Sequence, residues 1–428
     1  MSKSLYIAEK PSVAVQFAEA LKIKGRRGDG YIESEDAVVT WCVGHLVTMS
    51  YPEAYDMKYK RWSFQTLPFL PKEFKYEVIE NVKKQFEIVK GLLNRADVDT
   101  IYVCTDSGRE GEYIYRLVAQ MAGVTGKKQK RVWIDSQTEE EILRGIREAK
   151  DESEYDNLSA SAYLRAKEDY LMGINFSRAL TLKYGPSLSN YLGTKFTVLS
   201  VGRVMTCVLG MVVRREREIR SFIKTPFYRV IGSFESPGKD GEPVPFEAEW
   251  KAVEGSRYFG TPHLYKENGF KKRESAENLI GELDGKQAVV KSLERGTSRK
   301  KAPLLFNLAE LQAECSKRYK ISPDETLQVA QDLYEKKLTT YPRTDARVLS
   351  TAVAKEIGKN LNRLKTYEPT KTYTERILKE GTYRNIARTQ YTDDSKITDH
   401  YAIIPTGQLT ELGSLSDLQR RVYDLVVR

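Results

Sequence analysis

Leu5-Tyr6-Ile7-Ala8-Glu9-Lys10-Pro11-Ser12 passes from an apolar run the length of a buried strand into the start of a helix. Pro11 suits a first helical turn, where its missing N–H is not needed. Val13, Phe17, Ala20 and Leu21 then recur at helical spacing. The same unit returns downstream. Val38 to Val43 reads as a strand, and Thr100 to Cys104 as another that ends at Asp106. A helix follows with Ile114, Leu117, Val118 and Met121 on one face, spaced i, i+3, i+4, i+7. Val132 to Ile134 reads as a further strand and Thr138 to Ala149 as its helix. Strands alternating with helices predict an α/β domain with a mostly parallel sheet over residues 1–152.

Beyond it the pattern changes. Asp156 to Ile219 is helical in period, with Leu164, Leu171, Ile174 and Leu180 on one side. Phe227 to Phe234 and Val244 to Trp250 alternate around the turn cluster Ser236-Pro237-Gly238-Lys239-Asp240-Gly241, which predicts a hairpin. Ala288 to Leu293 reads as a strand and Arg295 to Lys301 as a basic linker. Two helices are expected at Asn307 to Tyr319 and Pro323 to Lys337, the second opened by a Ser322-x-x-Glu325 capping box.

Composition bounds the class. The chain has 428 residues, with 69 Lys+Arg against 59 Asp+Glu for a net charge of +10. Hydrophobic residues make up 40% and charged ones 30%, an ordinary globular mixture that excludes collagen-like and disordered classes. No run of about 18 apolar residues is present to span a bilayer. Met1-Ser2-Lys3-Ser4 leads straight into the first strand without the apolar core of a signal peptide. Cys42, Cys104, Cys207 and Cys315 form no C-x-x-C pair, so neither a zinc ribbon nor a disulfide framework is expected, and a reducing cytoplasm fits. The positive excess suggests an anionic partner.

Three segments carry chemistry. Glu9 and Lys10 close the first strand, where open α/β sheets place their sites; one can transfer a proton and the other can hold a phosphate. In Thr105-Asp106-Ser107-Gly108-Arg109-Glu110-Gly111-Glu112, oxygen ligands gather at a strand end, as magnesium requires. Ser107-x-x-Glu110 equally fits an N-terminal capping box. In Thr339-Thr340-Tyr341-Pro342-Arg343-Thr344-Asp345, Pro342 pushes Tyr341 into an extended conformation and Arg343 falls on the same side. A phenol attacks phosphorus when its developing charge is stabilised, and a nearby guanidinium does this.

In this order the segments resemble the type IA DNA topoisomerases, most closely the topoisomerase III branch. Glu9-Lys10-Pro11-Ser12 and Asp106 to Glu112 match the two motifs of a TOPRIM domain, and Thr340-Tyr341-Pro342-Arg343-Thr344-Asp345 matches the nucleophile motif. Val39-Thr40-Trp41, Gly44-His45-Leu46 and Pro52-Glu53-Ala54-Tyr55 resemble the stretch after the first helix. Gly173 to Thr181 and Leu199 to Val204 resemble helical DNA-binding segments, and Asp399-His400-Tyr401-Ala402-Ile403-Ile404-Pro405-Thr406 a histidine motif near the scissile phosphate. One departure stands out: where the acidic motif usually reads Asp-x-Asp-x-Glu, the middle acid is Gly108. Glu112, two residues beyond Glu110, turns to another helix face. Met205 and Cys207 stand where glutamine and proline are common.

The resemblance implies a multidomain α/β plus α plus β chain. Its expected parts are a TOPRIM-like α/β metal domain at 1–152, the first part of a helical DNA-binding domain at 153–222 and the first part of a β-rich gate domain at 223–296. A helical domain with the tyrosine at 297–408 and a returning segment at 409–428 complete it. The architecture is toroidal and expected to be incomplete at its C-terminus. The resemblance further implies Tyr341 as nucleophile, Glu9 as general acid, Lys10, Arg343 and His400 about the phosphate, and one Mg2+ on Glu9, Asp106 and Glu110. Arg109, Ser177, Arg178 and Arg203 are expected to contact DNA. The basic runs Lys127 to Arg131 and Arg299 to Lys301 are further candidates; Tyr184 and Tyr191, beside basic residues, have base stacking as one reading and core packing as the commoner one. The implied activity is ATP-independent cleavage, strand passage and religation on single-stranded DNA by a monomer, relaxing negatively supercoiled DNA or decatenating, with cleavage and religation without full strand passage expected of the incomplete chain. Two rivals remain: another TOPRIM phosphotransferase, such as a primase or nuclease, and a non-catalytic single-strand-binding module.

Overall fold

The computed structural model describes residues 2–397 and 400–428, so Asp399 of the histidine motif lies outside the described residues. The chain divides into two compact units, residues 1–203 with 302–428, and residues 204–301.

The first unit is built on a seven-stranded sheet. Its early elements are β1 (Lys3–Ala8), α1 (Pro11–Ala20), β2 (Arg26–Gly28), β3 (Tyr31–Glu33) and β4 (Ala37–Trp41). A small antiparallel pair, β5 (Val47–Met49) and β6 (Tyr76–Val78), precedes α2 (Lys83–Leu93), β7 (Val98–Cys104) and α3 (Arg109–Ala122). Then come β8 (Lys128–Arg131), α4 (Glu139–Arg147) and β9 (Lys150–Asp151). The strand order is β2-β3-β4-β1-β7-β8-β9, with β1 parallel to both β4 and β7, and β8 parallel to β7. Leu5, Ile7, Val38, Ile101 and Val103 are wholly buried on one face with Phe86, Val89 and Leu117. Tyr6, Ala8, Val39 and Cys104 pack on the other with Val13, Phe17 and Ile142. A sheet covered on both sides accounts for the unbroken apolar runs of β1 and β4.

Two readings shift here. The fourth strand is Lys128–Arg131, not Val132 to Ile134. Val132 and Ile134 are apolar because they leave the strand end to pack under α1 and α4, not because they pair. The expected helical stretch from Asp156 is two helices. α5 (Asp156–Leu192) ends at Gly193 in the left-handed region, and an irregular segment separates it from α6 (Arg203–Arg220).

In the second unit, β10 (Ile231–Pro237) and β11 (Pro243–Glu249) form the expected antiparallel hairpin. β12 (Leu264–Lys266), β13 (Gly269–Phe270) and α7 (Arg273–Leu283) surround a small core of Val230, Ala252, Tyr258, Phe270, Ala276 and Leu279. Ala288 to Leu293 is not a strand: it is exposed and without regular structure, and among the described residues it pairs with nothing. A short run with β-branched residues does not make a strand without a partner edge.

Back in the first unit, α8 (Leu308–Tyr319) and α9 (Pro323–Glu335) form the expected helix pair, and the Ser322/Glu325 capping box closes in both directions. α10 (Thr351–Leu364), α11 (Lys371–Glu380) and α12 (Asp417–Val427) follow. Leu311, Val329, Leu333, Leu338, Ile403, Val422 and Tyr423 form their shared core.

Candidate active site

The parallel register of β1 and β7 sets Ala8 beside Cys104. Glu9 and Asp106, one and two residues further on, therefore emerge side by side at the carboxyl ends of central strands. The Asp106 N–H donates to Glu9 Oε2 at 3.3 Å. Burial, and then the charge of Asp106, push the Glu9 carboxyl up to about 7, against the pull of the Asp106 N–H, Lys10 and His45. Burial likewise raises Asp106, with Lys10 opposing.

The turn after β7 is held from beneath. Arg131 at the end of β8 is fully buried, and its guanidinium donates to the carbonyls of Val103, Thr105, Val132 and Asp106, and to Glu112 Oε2 at 3.1 Å. Glu112, also fully buried, takes a second guanidinium from Arg116 at 2.8 Å. Gly111 lets the first turn of α3 lie against this loop: a Cβ there would stand 2.1 Å from the Asp106 carbonyl oxygen. The capping box read at Ser107 and Glu110 does not form. Gly108 is the N-cap without a side-chain cap, and Ser107 Oγ instead accepts from the Ile134 N–H at 2.9 Å.

The tyrosine arrives from far along the chain. Thr339 bridges antiparallel to Pro405. The Thr340 N–H donates to the Ile404 carbonyl at 3.0 Å, and Thr344 Oγ1 to the His400 carbonyl at 2.9 Å. These bonds align residues 339–344 with 400–406. The Tyr341 N–H then donates to the Asp135 carbonyl at 2.7 Å, which seats this pair of segments on the α/β sheet's upper edge. The backbone bends at Pro342, where the Thr344 N–H reaches the Pro342 carbonyl at 3.0 Å, yet Tyr341 and Arg343 still line one cleft. Its volume is about 410 Å³, and Ser107, Arg109, Glu110, Arg165 and His400 share its wall. A Cβ on Gly108 would lie 3.9 Å from the Tyr341 hydroxyl. Tyr341 is only 6% exposed. Burial, Asp106 and Glu9 raise its pKa, while Arg343 and Arg131 lower it.

The residues expected from sequence divide into two groups. Glu9, Lys10, Asp106, Glu110, Arg109, Tyr341, Arg343 and His400 gather at or beside this cleft. Lys10 Nζ is paired with Glu335 Oε1 at 2.7 Å, a bond between residues 325 apart in the chain. Others are elsewhere or engaged. Arg178 is 4% exposed: it donates to the Tyr59 carbonyl at 2.9 Å and lies 5.3 Å over the Trp62 ring, so it braces α5 from inside. Ser177 Oγ accepts from the Val201 N–H at 2.8 Å, tying the segment between α5 and α6 down. Arg203 makes contacts of 3.1 Å to both Asp169 oxygens. In the basic run, Arg131 is buried and Lys127 Nζ caps the carbonyls of Arg95 and Val98, so neither is a free surface cation. Tyr184 and Tyr191, read as core, are exposed.

The expected three-carboxylate metal set is not assembled. Among the described residues no three carboxylate, histidine or cysteine side chains converge as a cation cage. Glu9 and Asp106 are adjacent, but Glu110 bonds His45 Nε2 at 2.6 Å, and this contact holds its carboxyl below the ordinary range. Two adjacent buried carboxylates, both raised chiefly by burial, are nonetheless a hard-oxygen donor pair for a divalent cation. Sequence reading missed Asp135, Arg131, Glu335 and the His45–Glu110 pair. None follows a local pattern, since each acts through a contact distant in sequence.

Comparison with known proteins bears on this geometry. Residues 153–428 match the family model described as DNA topoisomerase, and residues 4–136 match the Toprim domain. The chain is 38% identical over 429 residues to DNA topoisomerase 3 of Bacillus subtilis strain 168, covering 100% of this chain and 54% of that protein. It is 37% identical over 435 residues to DNA topoisomerase 3 of Bacillus cereus strain ATCC 14579, with the same coverage. The chain thus spans about half the length of the curated relatives it matches. Full-length topoisomerase I from Thermotoga maritima aligns with a TM-score of 0.58 at 22% identity, over 99% of this chain and 59% of that one, a likeness in fold.

Proposed function

Since the chain belongs to the DNA topoisomerase family, in its type IA, topoisomerase III-like branch, we propose that its cleft cuts and rejoins one strand of DNA through Tyr341. The observation that carries this reading is the seating of a buried tyrosine, through its own peptide N–H, on the Asp135 carbonyl beyond β8, within the field of Glu9 and Asp106.

Tyr341 Oη gives up its proton to solvent in the cleft as it attacks a phosphodiester of single-stranded DNA, forming the bond to the 5′ phosphate while the bond to the 3′ oxygen breaks. Glu9, with a carboxyl raised to about 7, is protonated in a substantial fraction of molecules at neutral pH, and that form delivers its proton to the leaving 3′ oxygen. On rejoining, the same carboxylate takes that proton back. Arg343 faces the phenol and offsets the charge building on phosphorus, and Lys10 does so once Glu335 releases it. Arg109 and Arg165, on the cleft wall, hold flanking phosphates. Mg2+ would be held by Asp106, joined by Glu9 while Glu9 is ionised, and would supply positive charge that aligns the DNA ends. One phosphodiester is exchanged for another, so no ATP enters, and the substrate is negatively supercoiled or single-stranded DNA bound by a monomer.

The test is negatively supercoiled plasmid incubated with the protein and Mg2+, then quenched with denaturant. Relaxed circles and circles carrying bound protein are expected. Nicked circles free of protein would favour a phosphotransferase that uses the acidic residues alone.

A further inference from the structure

We infer that Asp135 is a positioning residue for the nucleophile: its carboxylate holds His400 charged beside Tyr341, and its backbone carbonyl fixes the tyrosine's own peptide. The inference rests on Tyr341 being the nucleophile, as proposed above, but its geometry is independent of that assignment.

His400 is 4% exposed, and both of its ring nitrogens face acceptors. Nε2 meets the Ser107 carbonyl and Nδ1 meets Asp135 Oδ1. A carbonyl oxygen only accepts, so Nε2 carries a proton. The proton at the second contact sits on the ring as well, because imidazole is more basic than a carboxylate by about two to three pH units. A neutral ring would set a nitrogen lone pair against an acceptor oxygen. The arrangement therefore calls for an imidazolium donating to an ionised Asp135.

The ring is also clamped. Trp133 lies parallel to it, 8° off plane with centroids 5.8 Å apart, and Tyr155 stacks on Trp133 at 5.4 Å. The Tyr341 ring approaches His400 to 4.5 Å between centroids. Asp135 is steadied in turn by its N–H, which reaches Glu141 Oε1 at 3.3 Å. Among the described residues, the charged and titratable groups around the pair include Glu141 and Arg144 of α4, Asp106 at the β7 turn, Tyr334 of α9, Tyr341 and Arg343 of the tyrosine segment, and the neighbouring Tyr401. One residue thus grips both parts of the chemistry: the 2.7 Å bond from the Tyr341 N–H to the Asp135 carbonyl sets where the phenol stands, and the carboxylate sets the charge beside it. A fixed cation there lowers the cost of forming phenolate in a buried site.

The chain has three histidines, His45, His263 and His400, so ring-nitrogen NMR of histidine-labelled protein resolves each, with His400→Gln giving the assignment. In the unaltered protein both His400 nitrogens are expected to remain protonated at pH 8. In Asp135→Asn the midpoint of His400 falls by about one pH unit or more. Relative to the unaltered protein at the same pH, cleavage by that variant drops about tenfold at pH 8 and the deficit closes toward pH 6, with affinity for single-stranded DNA unchanged within about twofold. A neutral His400 at pH 8 in the unaltered protein, or an unmoved midpoint in Asp135→Asn, overturns the inference. Should Asp135→Asn fail to fold, the unaltered protein's spectrum still decides, and Asp135→Glu, which keeps the charge, is expected to preserve the protonated ring. A charged His400 in a protein that forms no adduct would reject the Tyr341 assignment, and with it the positioning role, while leaving the charged Asp135–His400 pair standing.

Discussion

At Glu9 two influences compete, and the order of their strength sets a pH dependence. Burial and the neighbouring Asp106 raise the carboxyl to about 7, and neither Lys10 nor the Asp106 N–H reverses this. A general acid must hold its proton, so the cleavage step should be level below about pH 7 and fall as pH rises through it, approaching tenfold per unit. Single-turnover cleavage measured from pH 6 to 9 checks this; a rate that climbs over the same range contradicts it. Glu9→Gln keeps the shape but has no proton to give, so it should lose about a hundredfold or more in rate and the pH break with it, while still binding DNA. The residue types at this site were legible because a glutamate at a strand end and a tyrosine before proline are chemically suggestive where they stand. Asp135 and Glu335 were not, since nothing in Ile134-Asp135-Ser136 or Tyr334-Glu335-Lys336 indicates a partner hundreds of residues away.

Among the elements, the turn between β7 and α3 is fixed by two neighbours, and each yields a test. Gly111→Ala would drive a Cβ to within 2.1 Å of the Asp106 carbonyl, a backbone atom that cannot swing aside. A destabilisation of about 1–3 kcal/mol is expected by chemical denaturation, with cleavage lost beyond what the unfolded fraction explains. Arg131→Met removes the donor to four carbonyls and leaves Glu112 with Arg116 alone, costing about 3 kcal/mol or more. Unchanged stability in Arg131→Met would show that the buried guanidinium does not hold the turn. The elements themselves were readable in proportion to their burial. β1 and α3 declare themselves because the sheet covers one and the other lies along it. β8 reads Lys-Gln-Lys-Arg and carries no apolar signal, for it is fixed by its ladder to β7 and by Arg131. The run Ala288 to Leu293 carries the signal without an edge to pair with.

Taken whole, the first unit encloses its reactive residue. Tyr341 is buried, and Lys10–Glu335, Gln16 to the Glu335 carbonyl at 2.5 Å, and Arg363–Glu140 join the tyrosine-bearing part to the sheet around it. DNA must compete with these bonds. Glu335→Ala frees Lys10 for phosphate and should tighten single-strand binding by up to about fivefold, the scale of one half-exposed ion pair; weaker binding would mean that Glu335 supports the site instead of guarding it. With Lys10, Arg109 and Arg343 as the least set of phosphate contacts, log affinity against log salt should slope at about −2 or steeper. These effects depend on a cleavage centre composed by two distant stretches of chain, and end-labelled single-stranded DNA tests that most directly. Incubated with Mg2+ and quenched in denaturant, strand labelled on the 3′ side of the break should migrate with the protein, strand labelled on the 5′ side should be released with a free 3′ hydroxyl, and Tyr341→Phe should form no adduct. An adduct that persists in Tyr341→Phe, or label retained on the 5′ side, would contradict the account.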